Sequence, residues 1–311
     1  MDSVTQESDI WSEWLLHHRH GGDEGIARTI QTQTSNFASR VIDGARVGPD
    51  MTLIDVGTGD GLVAFIAIGR IGPSLRVVLT DISAPILKYA EQRASECGVN
   101  DQCRFIKCSA DRLEGIGNES AHAVTTRAVL AYVADKAAAM NEFFRVLKPG
   151  GHISICEPVM RYEALEIFAL KSIVDAQPAR SLDRLTELLC RIRAGQFPHT
   201  IEEIMENPTT NFSEQDLVEV AKDAGFIDVQ MELHVEVLPT SVTSWEAFLE
   251  SSPHPLAPPV RQLIAERLTE EEHRYLEERL RPLIESAQSK STSRNVYLTA
   301  RKPHRSGAND G

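Results

Sequence analysis

Membrane-length apolar runs are missing from this 311-residue sequence. No segment approaches the roughly 18 uninterrupted apolar residues of a spanning helix, so a membrane span is excluded. The first residues, with Asp2, Glu7 and Asp9, also lack the basic-then-apolar order of a secretory signal, and a cytoplasmic protein is expected. Basic residues are in deficit: 32 Lys and Arg against 45 Asp and Glu give a formal net charge of −13. That balance argues against a nucleic-acid partner, which needs a basic surface to release counterions. Local basic patches stay open, and a terminal run such as Arg301 to Arg305 reads as a solvated tail. Cysteines are few, and Cys97, Cys103, Cys108, Cys156 and Cys190 form no C-x-x-C pair and no zinc-type spacing with histidine, so no metal site is expected. Free thiols in a reducing compartment follow.

What is present suits an ordinary globular enzyme, 42% hydrophobic and 25% charged. Its most informative stretch is Thr52-Leu-Ile-Asp55-Val-Gly57-Thr58-Gly59-Asp-Gly61. Leu53, Ile54 and Val56 suit a strand buried on both faces, and from Leu62 to Ile68 apolar residues return at helical spacing. The glycines between let the backbone bend tightly and approach a ligand. A dinucleotide turn reads G-x-G-x-x-G and aims a helix N-terminus at pyrophosphate. Here the order is G-x-G-x-G, with Asp55 two residues ahead of it. A carboxylate there is a poor neighbour for pyrophosphate and a good one for an ammonium group. Taken alone, such a turn is as readily structural.

Three further landmarks follow in order. Leu75 to Thr80 is strand-like and ends at Asp81, about 20 residues past the last glycine, where an acid meets a ribose. Arg104 to Cys108 is a third strand, followed by Ser109-Ala110-Asp111. Phe143 to Glu157 reads as a helix stopped by Lys148-Pro-Gly-Gly151 and running into a strand near Ile153. Asp81 and Asp111 each have a simpler reading as helix N-caps.

The acid and glycine turn resembles motif I of the class I S-adenosylmethionine-dependent methyltransferases, and the later landmarks stand in that family's order. The resemblance implies a Rossmann-like α/β fold: a seven-stranded sheet, mostly parallel with an antiparallel last strand, carrying helical insertions. It implies S-adenosyl-L-methionine as cofactor, held by Asp55, Gly57, Thr58, Gly59, Gly61, Asp81, Ile82, Ala110, Asp111 and Arg127. Asp81 is expected to accept from both ribose hydroxyls and Asp111 from the adenine amino group.

The organisation expected is an N-terminal helical cap over 1–48, a core of 49–157 with 212–239 and 293–303, helical insertions at 158–211 and 240–292 that shape the substrate pocket, and a disordered tail over 304–311. The cap begins with one helix carrying Ile10, Trp11, Trp14, Leu15 and Leu16, broken at Gly21-Gly22. Trp11 and Trp14 are either pocket wall or core packing. A helix over Ser213 to Ala224, with a capping box from Ser213 to Asp216, leads into the sixth strand.

No catalytic residue is assigned. Methyl transfer from a sulfonium needs nucleophile, carbon and sulfur in line, and holding that geometry supplies much of the acceleration. A base is needed only for an acidic acceptor. His17, His18 and His20 cluster in the cap, where a solvated face is the simpler reading, and His152 starts a strand. Arg127, after Thr125 and Thr126, reads as a carboxylate contact or an ordinary salt bridge. No Asn-Pro-Pro-Tyr tetrad is present. The segment Asp55 to Glu157 resembles the small-molecule branch of that family, similar to the ubiquinone/menaquinone-biosynthesis methyltransferases and their natural-product relatives. A small organic acceptor is expected. Two alternatives stay open: a cofactor-binding regulatory protein without turnover, and an arsenite methyltransferase using cysteine thiolates.

Overall fold

The computed structural model describes residues 8–19, 24–176, 183–286, 288 and 290–305, with the backbone alone at 17 and 24–33. In chain order the elements are α1 (Ile10–Glu13), a π turn (Trp14–His18), α2 (Glu24–Ala45), β1 (Thr52–Val56), α3 (Leu62–Ile71), β2 (Arg76–Asp81), α4 (Ala84–Glu96), β3 (Cys103–Lys107), β4 (Ala121–Arg127), α5 (Lys136–Val146), β5 (Leu147–Pro158), α6 (Arg161–Ala176), α7 (Arg184–Arg193), α8 (Ile201–Glu206), α9 (Glu214–Asp223), β6 (Ile227–Pro239), α10 (Trp245–Glu250), α11 (Val260–Arg267), α12 (Glu270–Glu285) and β7 (Lys290–Arg301). Two compact units divide them.

The sheet unit comprises 34–159, 212–234 and 295–311. Its strands run β3-β2-β1-β4-β5-β7-β6, parallel from β3 to β5, with β7 antiparallel to β5. This is the expected Rossmann-like architecture. The chain winds outward from β1 in one direction and resumes at β4 in the other, so strand order reverses between β1 and β4. Ligands of open α/β sheets bind beyond the strand ends at such a point.

Leu53, Ile54 and Val56 are fully buried, and the second half of α2 packs onto the sheet through Ala38, Val41, Ile42 and Ala45. A Cβ on Gly44 would stand 2.5 Å from Ser154 Oγ, so the helix backbone itself lies against β5. The boundary between the compact units accordingly falls inside α2, after Gln33. On the opposite margin α9 starts on the expected capping box, Ser213 with Asp216, and packs against α5.

The passage from α5 to β5 departs from expectation. The helix ends at Val146, and Leu147 already pairs with Ala121; the register then jumps to Ala123 with His152. Lys148 to Gly151 bulge between these pairs rather than forming the helix end. The orphan carbonyls of the last turn, Phe144 O and Leu147 O, accept from Lys302 Nζ at 2.8 Å each. Lys302 is therefore buried, Arg301 pairs with Asp228 and Arg305 with Glu119, which corrects the reading of this run as a solvated tail. Ordered residues thus reach Arg305, into the segment expected to be a tail, and 306–311 lie outside the described residues.

The helical unit comprises 1–33, 160–211 and 235–294. Leu188, Ile192, Trp245, Leu249, Leu263 and Leu276 are among its core residues. Capping boxes start α8 (Thr200 with Glu203) and α12 (Thr269 with Glu272), and Glu272 also accepts from Arg191 at 2.6 Å. The N-terminal helix expected from the apolar spacing runs over Ile10–His18, but not with uniform α geometry. Only Ile10–Glu13 is α-helical, and Trp14–His18 widens to π geometry, closed by Arg19 N–H to Trp14 O at 2.7 Å. The wider turn sets the Arg19 guanidinium over the Trp14 ring at 5.8 Å. Gly21, Gly22 and His20 lie outside the described residues. Among the described residues no helix is long and apolar enough to cross a membrane.

Candidate cofactor-binding site

The glycine turn leaves β1 at the switch point and is fixed from two sides. Thr58 N–H donates to Thr80 O at 2.8 Å, tying the turn to β2. Thr58 Oγ1 donates to Asp55 Oδ2 at 2.7 Å, while Thr125 Oγ1 from β4 donates to Asp55 Oδ1 at 2.9 Å. Asp55 is thus wholly buried with both oxygens engaged inside the protein, where it braces the turn and joins β1 to β4. Burial pushes its carboxyl up to about 6, against the opposing pull of the two hydroxyls and the Arg127 charge.

Gly57, Gly59 and Gly61 all have left-handed backbone, with φ of 62°, 57° and 80°. The conformation is half the requirement, and space is the other half. A Cβ on Gly57 would stand 2.2 Å from Val129 Cγ2, and one on Gly61 would stand 2.4 Å from the Phe65 ring. Gly61 caps α3 with no side-chain acceptor for the first-turn amides.

Asp81, at the end of β2, is buried beside this turn. Its Oδ2 accepts from Gly59 N–H at 3.0 Å and its Oδ1 from Ser83 N–H at 2.9 Å. The alternative that Asp81 serves as N-cap of α4 is settled against: that cap is Ser83, whose Oγ accepts from Ile86 N–H. Ile82 between them is 53% exposed, an unusual setting for an isoleucine in an otherwise buried corner.

Asp111 does not begin a helix either. It accepts from Ser109 Oγ and lines a cavity of about 510 Å³ with Ser109, Arg112, Glu114, Asp135 and Ala138, while Ala110 is buried behind it. Arg127 closes β4 as its last residue, rather than following the strand, and stands in register with Cys156. Its charge favours the ionised forms of both Asp55 and Cys156, against the larger upward push of burial on each. The structure therefore gathers Asp55, Thr58 and the glycines around one turn, sets Asp81 and Ile82 at its β2 side and Arg127 at the end of β4, and gives Asp111 a cavity at the end of β3.

Three participants escaped the sequence reading: Ser83, Thr125 and the loop after β4, where Ala128 has φ of 55° and Val129 covers Gly57. Only the hydroxyl next to a strand-end acid was a visible signal, for Ser83. The donor set fits a cationic nucleoside. A Cβ has no room at Gly57 or Gly61, and a carboxylate such as Asp81 or Asp111 is an acceptor for hydroxyl and amino groups. The exposed Ile82 supplies an apolar face. Among the described residues no group of three or more His, Cys, Asp or Glu is placed to hold a metal ion.

Comparison with known proteins agrees with this geometry. A family model described as a methyltransferase domain matches residues 48–232, more than half of the chain. The ubiquinone/menaquinone biosynthesis C-methyltransferase of Xylella fastidiosa is 30% identical over 182 residues, covering 58% of this chain and 68% of that protein. The protein of the same name from Cronobacter sakazakii is 30% identical over 189 residues, 60% of this chain and 69% of that one. Among solved structures, the YcgJ protein of Bacillus subtilis superposes with a TM-score of 0.52 at 16% identity, covering 86% of this chain and 99% of that one. A Haemonchus contortus phosphoethanolamine N-methyltransferase 2 in complex with S-adenosyl-L-methionine gives 0.50 at 18% identity, covering 97% and 59%. By the match of its core and the construction of its cofactor turn, the chain belongs to the methyltransferase-domain family and is a class I S-adenosylmethionine-dependent methyltransferase.

Proposed function

We propose that this enzyme methylates a small organic metabolite, a quinone-like compound or a natural product of comparable size. The observation that carries the reading is the 30% identity, across the cofactor core, to enzymes named for ubiquinone and menaquinone biosynthesis. The net charge of −13 supports it by disfavouring a polyanionic acceptor. The cofactor, when bound, supplies a methyl group already activated by a sulfonium charge. The chain's own part is to hold and orient. We assign Asp81 to the ribose hydroxyls, Asp111 to the adenine amino group, Arg127 to the methionine carboxylate, and the backbone of Gly57, Thr58, Gly59 and Gly61, with Ile82 and Ala110, to the nucleoside and amino-acid surfaces. Asp55 acts through Thr58, by fixing the turn's shape.

Acceptor recognition we assign to the cap and to the insertions 158–211 and 240–292. A cavity of about 330 Å³ lined by Ile10, Trp14, His18, Ser252, Pro255 and Pro259 supports this, since its volume and mixed lining suit a small organic ligand. His18 Nε2 lies 3.5 Å from Glu13 Oε1, an ion pair when the imidazole is protonated. An arsenite acceptor is disfavoured: burial pushes the thiols of Cys103 and Cys108 up to about 11 and that of Cys156 to about 12, which keeps them protonated. We place the activity in the cytoplasm, where a free, exposed thiol such as Cys97 stays reduced.

The test is mass spectrometry of a metabolite extract incubated with protein and isotopically labelled S-adenosylmethionine. A labelled small molecule identifies the acceptor. Label confined to nucleic acid or protein refutes the proposal, and donor binding without transfer to any component points to a regulatory role.

A further inference from the structure

Glu157 closes β5 as its penultimate residue and has no solvent exposure. A buried carboxylate is expensive unless hydrogen-bonded, so its partners show what the position is for. Val129 N–H donates to both oxygens at 3.0 Å, and Ala131 N–H donates to Oε2 at 3.1 Å. Two backbone amides of one loop, following Ala128 with φ of 55°, thus close on one carboxylate in the manner of an anion nest. Lys136 sets the opposing charge: it is buried, donates to Val133 O at 3.0 Å and lies 4.6 Å from the Phe212 ring centroid.

This loop is the one that meets the cofactor turn. Its Val129 side chain occupies the space a Cβ on Gly57 would need, at 2.2 Å. The chain of contact runs from Glu157 through the amides of Val129 and Ala131, and from the Val129 side chain to Gly57. Nothing else among the described residues accepts from the Val129 and Ala131 amides. Without the carboxylate two amides face an interior with no acceptor, and the loop has reason to leave.

We propose that Glu157 is a positioning residue for cofactor binding, its carboxylate folding the loop after β4 so that Val129 holds the glycine turn in binding shape. The inference rests on the cofactor turn and not on the identity of the acceptor.

The probe is S-adenosylhomocysteine, titrated by calorimetry into the full chain. Glu157→Gln leaves one carbonyl oxygen and sets an amide group against an N–H donor. If the competent loop falls to about a tenth of the population, the apparent Kd rises about tenfold with stoichiometry still near one. A purely structural role gives a different signature: a lower melting temperature and a reduced stoichiometry, with the Kd of the folded fraction unchanged. That result overturns the proposal. Val129→Ala keeps the nest and removes the contact on Gly57, so it decides the matter if Glu157→Gln does not fold. A Kd raised several-fold supports the positioning role, and an unchanged Kd refutes it. Loss of all binding in wild-type protein would instead count against the cofactor site itself.

Discussion

Replacing Asp81 by asparagine is the sharpest probe of the cofactor site, because the structure fixes what the exchange removes. The carboxylate accepts from Gly59 N–H at 3.0 Å and Ser83 N–H at 2.9 Å, and the ribose hydroxyls are the further donors we propose for it. In Asp81→Asn one oxygen becomes an NH₂ that faces one of those backbone donors, so one internal bond and one ligand bond are lost together. A hydrogen bond to a charged acceptor contributes about 1.5–3 kcal/mol, so affinity for S-adenosylhomocysteine should fall about ten- to a hundredfold. Calorimetry with the 2′,3′-dideoxy analogue separates the two losses. Wild-type protein should discriminate strongly between ligand and analogue, and the variant should discriminate less, the difference being the coupling of Asp81 to the hydroxyls. Thermal melting of the unliganded proteins measures the internal loss separately. Undiminished affinity in the variant, or undiminished discrimination, would refute the assignment of Asp81 to the ribose.

Gly57→Ala forces a Cβ to φ of 62° at about 1–2 kcal/mol and into Val129 at about 1–3 kcal/mol more, so urea unfolding should show a loss of about 2–5 kcal/mol. Asp55 titrates near 6 in the folded protein against 3.8 ordinarily, so the folded state holds its proton more tightly than the unfolded chain does. Its contribution to stability is present below about pH 4 and lost as pH rises through about 6, about 3 kcal/mol in all. Asp55→Asn should therefore flatten the stability profile between those limits, and denaturant titrations in which the two proteins keep parallel profiles would contradict it. Arg294 pairs with Glu163 at 2.8 Å and Glu166 at 2.6 Å with side chains only 18% exposed on itself and Glu163, so Arg294→Met should cost about 1–3 kcal/mol in thermal unfolding. A melting temperature equal to wild type would show the pair to be worth nothing net.

Much of the local structure of the candidate site was legible because its information lies in consecutive residues. The strand before Asp55, the glycines that take left-handed backbone and the capping box of Ser213 with Asp216 each lie within a few consecutive residues, and each adopts the expected form. The sheet was legible too, since buried parallel strands read as apolar runs. Where sequence reading went astray, the deciding partner was distant. The apolar spacing of Trp14, Leu15 and Leu16 announces the helix but not its local widening to π geometry. Lys148 stood next to the end of α5, but the residue that satisfies its carbonyls is Lys302, 155 positions from Leu147.

The order of acids and glycines along the chain determined the family, the cofactor and the fold class, because a nucleoside-binding turn is built from adjacent residues whose chemistry survives reading one after another. Tertiary structure alone decided what each acid does. Asp55 faces inward to two threonines, Asp81 is free of the capping duty that Ser83 performs, and Glu157 is tied to the loop 28 residues before it. A carboxylate's role follows from which donors surround it and how much water reaches it, and both are set by strands that meet only after the chain has folded.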